Sequence, residues 1–221
     1  MQFTKSLYYN DILHREDKGP PINTVDAWLI HQYLLWTLPI KNYLEIGVGT
    51  GAVYSLVAEQ QPWVKIDLVD PRIHLCEDTI KKLKHQHTSI CAKYSHEVDW
   101  VNNDRSYDIF YAYHPKEQTT EVMESALSRT TKNTLLWIDR HPDCDIVKVR
   151  NMLKEQQWQQ RLVTDQLEWW TWKDNTIQPF IDYLLRESNI NWIAGIWKEK
   201  SVWKVSAPQC VYKNQDVFNQ M

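Results

Sequence analysis

Tyr43-Leu44-Glu45-Ile46-Gly47-Val48-Gly49-Thr50-Gly51-Ala52 decides how the rest of this 221-residue chain is read. The chain has only five glycines, and three of them stand at alternate positions in this stretch. Glycine loses more freedom on ordering than any other residue, so it is kept where backbone must turn sharply or approach something closely. A glycine-poor chain that gathers its glycines in one loop is using that loop. The apolar run Tyr43, Leu44, Ile46 before it reads as a strand, and Ala52–Gln60 after it as a helix. Strand, glycine turn and helix form the setting in which Gly-x-Gly brings a nucleotide-like ligand to a helix N-terminus. The bland alternative is a tight strand-to-helix turn that binds nothing.

Outward from this stretch the apolar pattern alternates between two periods. Upstream, Asn23 or Thr24 caps a predicted helix to Leu38, ended by Pro39; Met1 to Asn23 is a polar arm containing Gly19-Pro20-Pro21. Strands are expected at Lys41–Ile46, Val64–Val69, Ser89–Ala92, Tyr107–Tyr113 and Thr134–Ile138. Helices are expected at Arg72–Lys84, Glu117–Arg129 and Cys144–Gln157, with a short one at Glu97–Asn102. Gln160–Thr164 and Leu167–Trp172 then read as a hairpin turning at Asp165-Gln166. Such alternation predicts an α/β fold, a Rossmann-like doubly wound sheet, mostly parallel, with an antiparallel C-terminal hairpin as an added edge. The expected organisation is an arm over 1–23, a domain over 24–173 and a Trp-rich extension over 174–221, packed on the domain or at an oligomer interface. Within the extension, Pro179–Glu187 has amphipathic helical spacing and Trp192–Lys204 alternates like a strand.

Composition narrows the function classes. Net charge is −3, so no overall field draws the chain to nucleic acid or to an anionic membrane. The four cysteines, Cys76, Cys91, Cys144 and Cys210, form no C-x-x-C pair, which disfavours a zinc ribbon or disulfide framework. Met1 to Glu16 has no apolar signal core, and no apolar run reaches the ~20 residues of a membrane span. The expected address is cytoplasmic.

Gly47-Val48-Gly49-Thr50-Gly51-Ala52 satisfies two templates: the dinucleotide pattern G-x-G-x-x-G/A, and E-x-G-x-G-x-G beginning at Glu45. Both call for an acid about twenty residues on, at the end of the second strand, to grip ribose hydroxyls. Asp70 lies 21 residues beyond Gly49. Asp70-Pro71 is also an ordinary turn initiator. A carboxylate two residues before the first glycine suits a ligand bearing positive charge and repels a diphosphate. A chain of this length also leaves little room for a separate substrate domain. Both points disfavour a nicotinamide cofactor.

On these residues the sequence resembles the class I S-adenosylmethionine-dependent methyltransferases. Leu44-Glu45-Ile46-Gly47-Val48-Gly49-Thr50-Gly51 is similar to their first motif and Leu68-Val69-Asp70 to their second. The resemblance covers about Thr24 to Trp172 and is nearest to the small-molecule O-methyltransferase branch. It implies S-adenosylmethionine as cofactor, with Glu45 helping to hold the methionine amine and Gly47, Gly49 and Gly51 facing the methionine part. Asp70 would hold the ribose, and residues near Tyr94 to Glu97, Ser95 and His96 among them, would frame the adenine.

Methyl transfer is an in-line displacement in which positioning and water exclusion supply much of the rate, and a base can assist the acceptor. The rim candidates are His96, His114, Asp139 and His141; of these His114, Asp139 and His141 are the expected catalytic set. The related enzymes often carry acids after the fourth strand, and some use them with a divalent metal. This chain reads Tyr111-Ala112-Tyr113-His114-Pro115 there, so no metal is expected. That departure opens a second hypothesis, a binding or structural protein that keeps the fold without the chemistry. A third is aminopropyl transfer in the same pocket. Seven of the twelve tryptophans fall after residue 157, and from Asn151 on Lys/Arg and Asp/Glu balance at eight each. The balance disfavours nucleic acid. Core packing or a homo-oligomer contact is the expected role of these rings, and a small-molecule acceptor the expected partner.

Overall fold

The computed structural model describes residues 40–98, 106–113, 116–140, 143–163, 167–174, 195–199 and 202–206. The expected arm, the helices at 24–38 and Pro179–Glu187, the turn at Asp165-Gln166, His114 and His141 lie outside the described residues. In chain order come β1 (Asn42–Ile46), α1 (Ala52–Gln60), β2 (Lys65–Val69) and a 3-10 turn (Ile73–Cys76) running into α2 (Glu77–Leu83). Then follow β3 (Thr88–Cys91), a 3-10 turn (Ser95–Glu97), β4 (Ile109–Ala112), α3 (Thr119–Leu127), β5 (Leu135–Asp139) and α4 (Ile146–Glu155). The chain continues through β6 (Trp158–Val163), β7 (Leu167–Trp172), β8 (Gly195–Glu199) and β9 (Val202–Ser206).

The strands form one sheet in the order β3-β2-β1-β4-β5-β7-β6-β9-β8. β1 to β5 pair in parallel, which is why β4 (Ile-Phe-Tyr-Ala) and β5 (Leu-Leu-Trp-Ile-Asp) are apolar without alternation: helices cover both faces. On one face Tyr43, Ile66, Leu68, Tyr111 and Trp137 pack against Val53, Leu56 and Val57 of α1, with Ile80 and Leu83 of α2 beside them. On the other, Leu44, Phe110, Leu136 and Ile138 meet Val122 and Met123 of α3 and Val149 and Leu153 of α4. α4 starts where Asp145 accepts the Lys148 backbone N–H at 3.0 Å. No described helix is long and apolar enough to cross a membrane.

The doubly wound class stands, with one correction to the hairpin. It is not an edge. β7 is inserted antiparallel between β5 and β6, and β6 continues in parallel to β9, which pairs antiparallel with β8. What removes the edge is the pairing of β6 with β9; β7, held between β5 and β6, is covered on both faces, with Glu168, Trp169, Trp170 and Thr171 all buried. Trp169 stacks on Trp137 at 6.1 Å on one face, while Trp170 joins the opposite cluster, so the tryptophans fill both layers. Several predicted elements are shorter than expected, α3 and α4 by about two residues at each end. β4 starts only at Ile109; ahead of it the Tyr107 hydroxyl donates to buried Asp67 at 2.6 Å. The helix after Pro71 opens as a 3-10 turn because Asp70 Oδ1 accepts the Arg72 N–H at 2.7 Å and Asp70 O the Ile73 N–H.

Candidate active site

Strand order reverses between β1, which leads outward to β2 and β3, and β4 on its other side. Doubly wound sheets open a crevice at that point, beyond the strand carboxyl ends. Here it is a cleft of about 460 Å³ bounded by the ends of β1, β2, β4 and β5. That lies within the usual range of small-molecule sites. Of the residues expected at the site, Glu45, Gly47, Gly49, Asp70, Ser95 and Asp139 line it.

The glycine corner is built for close approach. Gly47 has φ +79°, and a Cβ there would lie 2.6 Å from Tyr113 Cβ, so both conformation and space demand glycine. Its N–H donates to Val69 O at 2.9 Å and ties the corner to the end of β2. Gly49, at φ +54°, has nothing within 4 Å of where a Cβ would stand, which is free room on the cleft wall. Gly51 is outside the lining; its N–H closes the turn on Val48 O, and a Cβ there would meet Cys76 and Thr79.

Asp70 is buried and holds this corner in place. Its Oδ2 accepts the Gly49 N–H at 2.9 Å, and its Oδ1 the Arg72 N–H. The turn role and the ligand role foreseen for it are therefore compatible, since each carboxylate oxygen keeps a second lone pair. Glu45 differs in kind. It is 1% exposed, and its Oε2 accepts the Tyr43 hydroxyl at 2.8 Å. Burial pushes its carboxyl up to about 8; the Tyr43 hydrogen bond opposes that rise and the Asp70 charge adds to it. Asp139, also buried, accepts a short hydrogen bond from the Tyr111 hydroxyl. Burial, then the Asp139 charge, hold that phenol well above its usual range. Cys76, behind the corner, is pushed up to about 12 by burial and by Glu45 and Asp70, which makes it an unreactive thiol.

Besides Gly51, one described residue of the expected set stands off the cleft. His96 is exposed and stacks on Tyr94 with centroids 5.5 Å apart; Tyr94 and Ser95 form that wall of the cleft, and His96 is not part of the lining. The 3-10 turn carrying them is fixed by the Tyr94 N–H donating to Glu97 Oε2 at 3.1 Å. Among the described residues no three His, Cys, Asp or Glu side chains converge as a metal set.

Two of the tyrosines at the site, Tyr43 and Tyr111, were not foreseen. Tyr111 and Tyr113 line the cleft and Tyr43 is buried behind it on Glu45; Tyr113, just past the fourth strand, falls on the expected rim, while Tyr43 and Tyr111 read in sequence as ordinary strand aromatics. A local signal exists only for Tyr43, two residues before Glu45 and hence on the same strand face. Tyr111 reaches that face through the β1–β4 register, in which it pairs with Glu45.

Three acids and the exposed Arg72 line the cleft, so it is chemically suited to a small ligand that carries positive charge. Room at Gly49, the part-engaged carboxyl of Glu45 and the spare lone pairs of Asp70 fit an amino-acid nucleoside bearing a sulfonium.

No protein-family profile matches the chain, and no curated protein sequence does. Solved structures do resemble it. A precorrin-6y C5,15-methyltransferase from Geobacter metallireducens superposes with TM-score 0.57 at 11% identity, covering 72% of this chain and 95% of that one. A Podospora anserina methyltransferase with S-adenosylhomocysteine bound gives TM-score 0.52 at 15% identity, covering 76% of this chain and 86% of that one. A TDP-rhamnose 3′-O-methyltransferase of calicheamicin biosynthesis gives 0.52 at 16% identity, covering 65% and 77%. At such identities the likeness concerns architecture: this chain has the fold of the class I S-adenosylmethionine-dependent methyltransferases, O-methyltransferases among them.

Proposed function

We propose that the chain is an S-adenosylmethionine-dependent methyltransferase acting on a small-molecule acceptor. The observation that carries the reading is the clasp: Asp70 holding the Gly49 N–H across an open glycine corner, beside buried Glu45. When bound, the cofactor supplies a methyl group activated by its sulfonium. Glu45 meets the ammonium of the methionine part, Asp70 accepts from the ribose hydroxyls, and Tyr94 and Ser95 flank the adenine. Asp139, oriented by Tyr111, takes the proton of an acceptor hydroxyl or amine, with His114 and His141 the further candidates for that role. Orientation and exclusion of water account for the rest. The reading includes a cytoplasmic address, supported by the unpaired spacing of the cysteines, and contact between copies through the Trp-rich C-terminal region.

Calorimetric titration with S-adenosylmethionine and S-adenosylhomocysteine is the test, followed by methyl transfer to hydroxyl and amine acceptors. Absence of binding at millimolar ligand would discard the proposal. One observation favours a second reading: Tyr113, packed on Gly47, stands after β4 where related O-methyltransferases often carry an acid. Binding with no turnover on any acceptor would support a protein that keeps the pocket without the chemistry.

A further inference from the structure

The acids of the cleft are held in unlike ways, and the difference bears on how a cation enters. Asp70 has two backbone N–H donors to stabilise its charge. Glu45 has one hydrogen bond among the described residues, from the Tyr43 hydroxyl. Tyr43 and Asp70 act on it, and the other titratable groups that share its field come from the surrounding elements. Together they are Tyr43 on its own strand, Asp70 after β2, Tyr111 on β4, Tyr54 on α1 and Cys76 in the 3-10 turn. Every one of them is an acid, and none can carry positive charge. A buried carboxylate in such surroundings has no counter-ion within the described fold. The one cation on the cleft wall among the described residues, Arg72, is exposed and acts on Tyr113.

We propose that Glu45 is an exchangeable counter-ion: it keeps a proton while the cleft holds no cation and releases it to solvent when the ligand's ammonium takes its place. The inference rests on the reading of this cleft as an S-adenosylmethionine site. In the exchange the carboxyl O–H bond breaks, the proton passes to buffer, and the arriving ammonium leaves the charge of the cleft unchanged. The titration of the carboxyl near 8 puts that exchange in the physiological range. Selectivity follows, because a ligand without an ammonium has nothing to trade for the proton.

The test is calorimetry of the full chain with S-adenosylhomocysteine near pH 7, in two buffers of different ionisation enthalpy. With Glu45 titrating at about 8, about 0.9 proton should be released per ligand bound. The association constant should rise about ninefold between about pH 6 and pH 7. 5′-Methylthioadenosine, which lacks the amino-acid end, should release none and bind independently of pH. Glu45→Gln should bind S-adenosylhomocysteine with no proton release and a flat pH dependence. Binding by the unaltered protein without proton release, or equal release from Glu45→Gln, would overturn the exchange and leave the cofactor reading intact. Failure of S-adenosylhomocysteine to bind at all would overturn both.

Discussion

Replacing Asp70 by alanine separates the two duties assigned to it, holding the glycine corner and holding ribose. The corner loses the acceptors of the Gly49 and Arg72 N–H groups, at 2.9 and 2.7 Å. Hydrogen bonds to a charged acceptor contribute about 1.5–3 kcal/mol each when buried. Both donors border an open cleft where water can replace the carboxylate, so the low end applies and the expected loss of stability is about 2–3 kcal/mol. Removal of the charge also relieves Glu45, whose carboxyl Asp70 helps to raise, and this returns part of the loss above neutral pH. For the ligand, one charged hydrogen bond to ribose amounts to about 1–3 kcal/mol, or roughly 5- to 150-fold in Kd. Urea denaturation reads the first quantity and calorimetry with S-adenosylhomocysteine the second. A variant that loses stability as expected but binds with unchanged Kd would show that Asp70 clasps the loop without touching the ligand. A variant unchanged in both would refute the reasoning.

Gly47→Ala should destabilise by about 2 kcal/mol or more, since φ +79° and a 2.6 Å approach to Tyr113 Cβ act together; a urea midpoint within error of the parent would contradict the geometry. The stability of the ligand-free protein should fall as pH rises from about 6.5 to 8. The folded Glu45 carboxyl, raised to about 8, keeps a proton that the unfolded carboxyl has already lost. The slope should approach 1.4 kcal/mol per pH unit, about the value for one proton. His85, held below its ordinary value by burial, acts with the opposite sign around and below pH 6.5, so the Glu45 slope is read cleanly above about pH 7. Glu45→Gln should flatten the slope, and a slope that survives the substitution would assign it to another group. Glu168→Ala should cost about 3 kcal/mol. This fully buried carboxylate accepts from Arg150 of α4, from Gln160 Nε2 at 2.7 Å and from Trp170 Nε1 at 3.0 Å, so it fastens that helix to the hairpin. A loss below about 1 kcal/mol would mean that Arg150 is held by packing alone.

The alternation of periods, the five parallel strands and the glycine corner were legible in the chain, because each depends on residues close in sequence. Leu44 and Ile46 had to be strand, Gly47 had to turn, and Asp70 had to follow a second strand, wherever those elements finally packed. The position of the hairpin was not legible. Whether β7 or β6 lies next to β5 depends on which of them can bury both faces, and the full burial of Glu168 becomes explicable only once Arg150 arrives from α4. The polar floor of the cleft escaped for the same reason. Tyr111 joins Asp139 across 28 residues and faces Glu45 through strand register alone. The sequence by itself settled which backbone would bend and where an acid would stand. Only the tertiary structure decided how each acid is solvated, Asp70 by backbone donors and Glu45 by burial among other acids, because desolvation is a property of everything packed around a group.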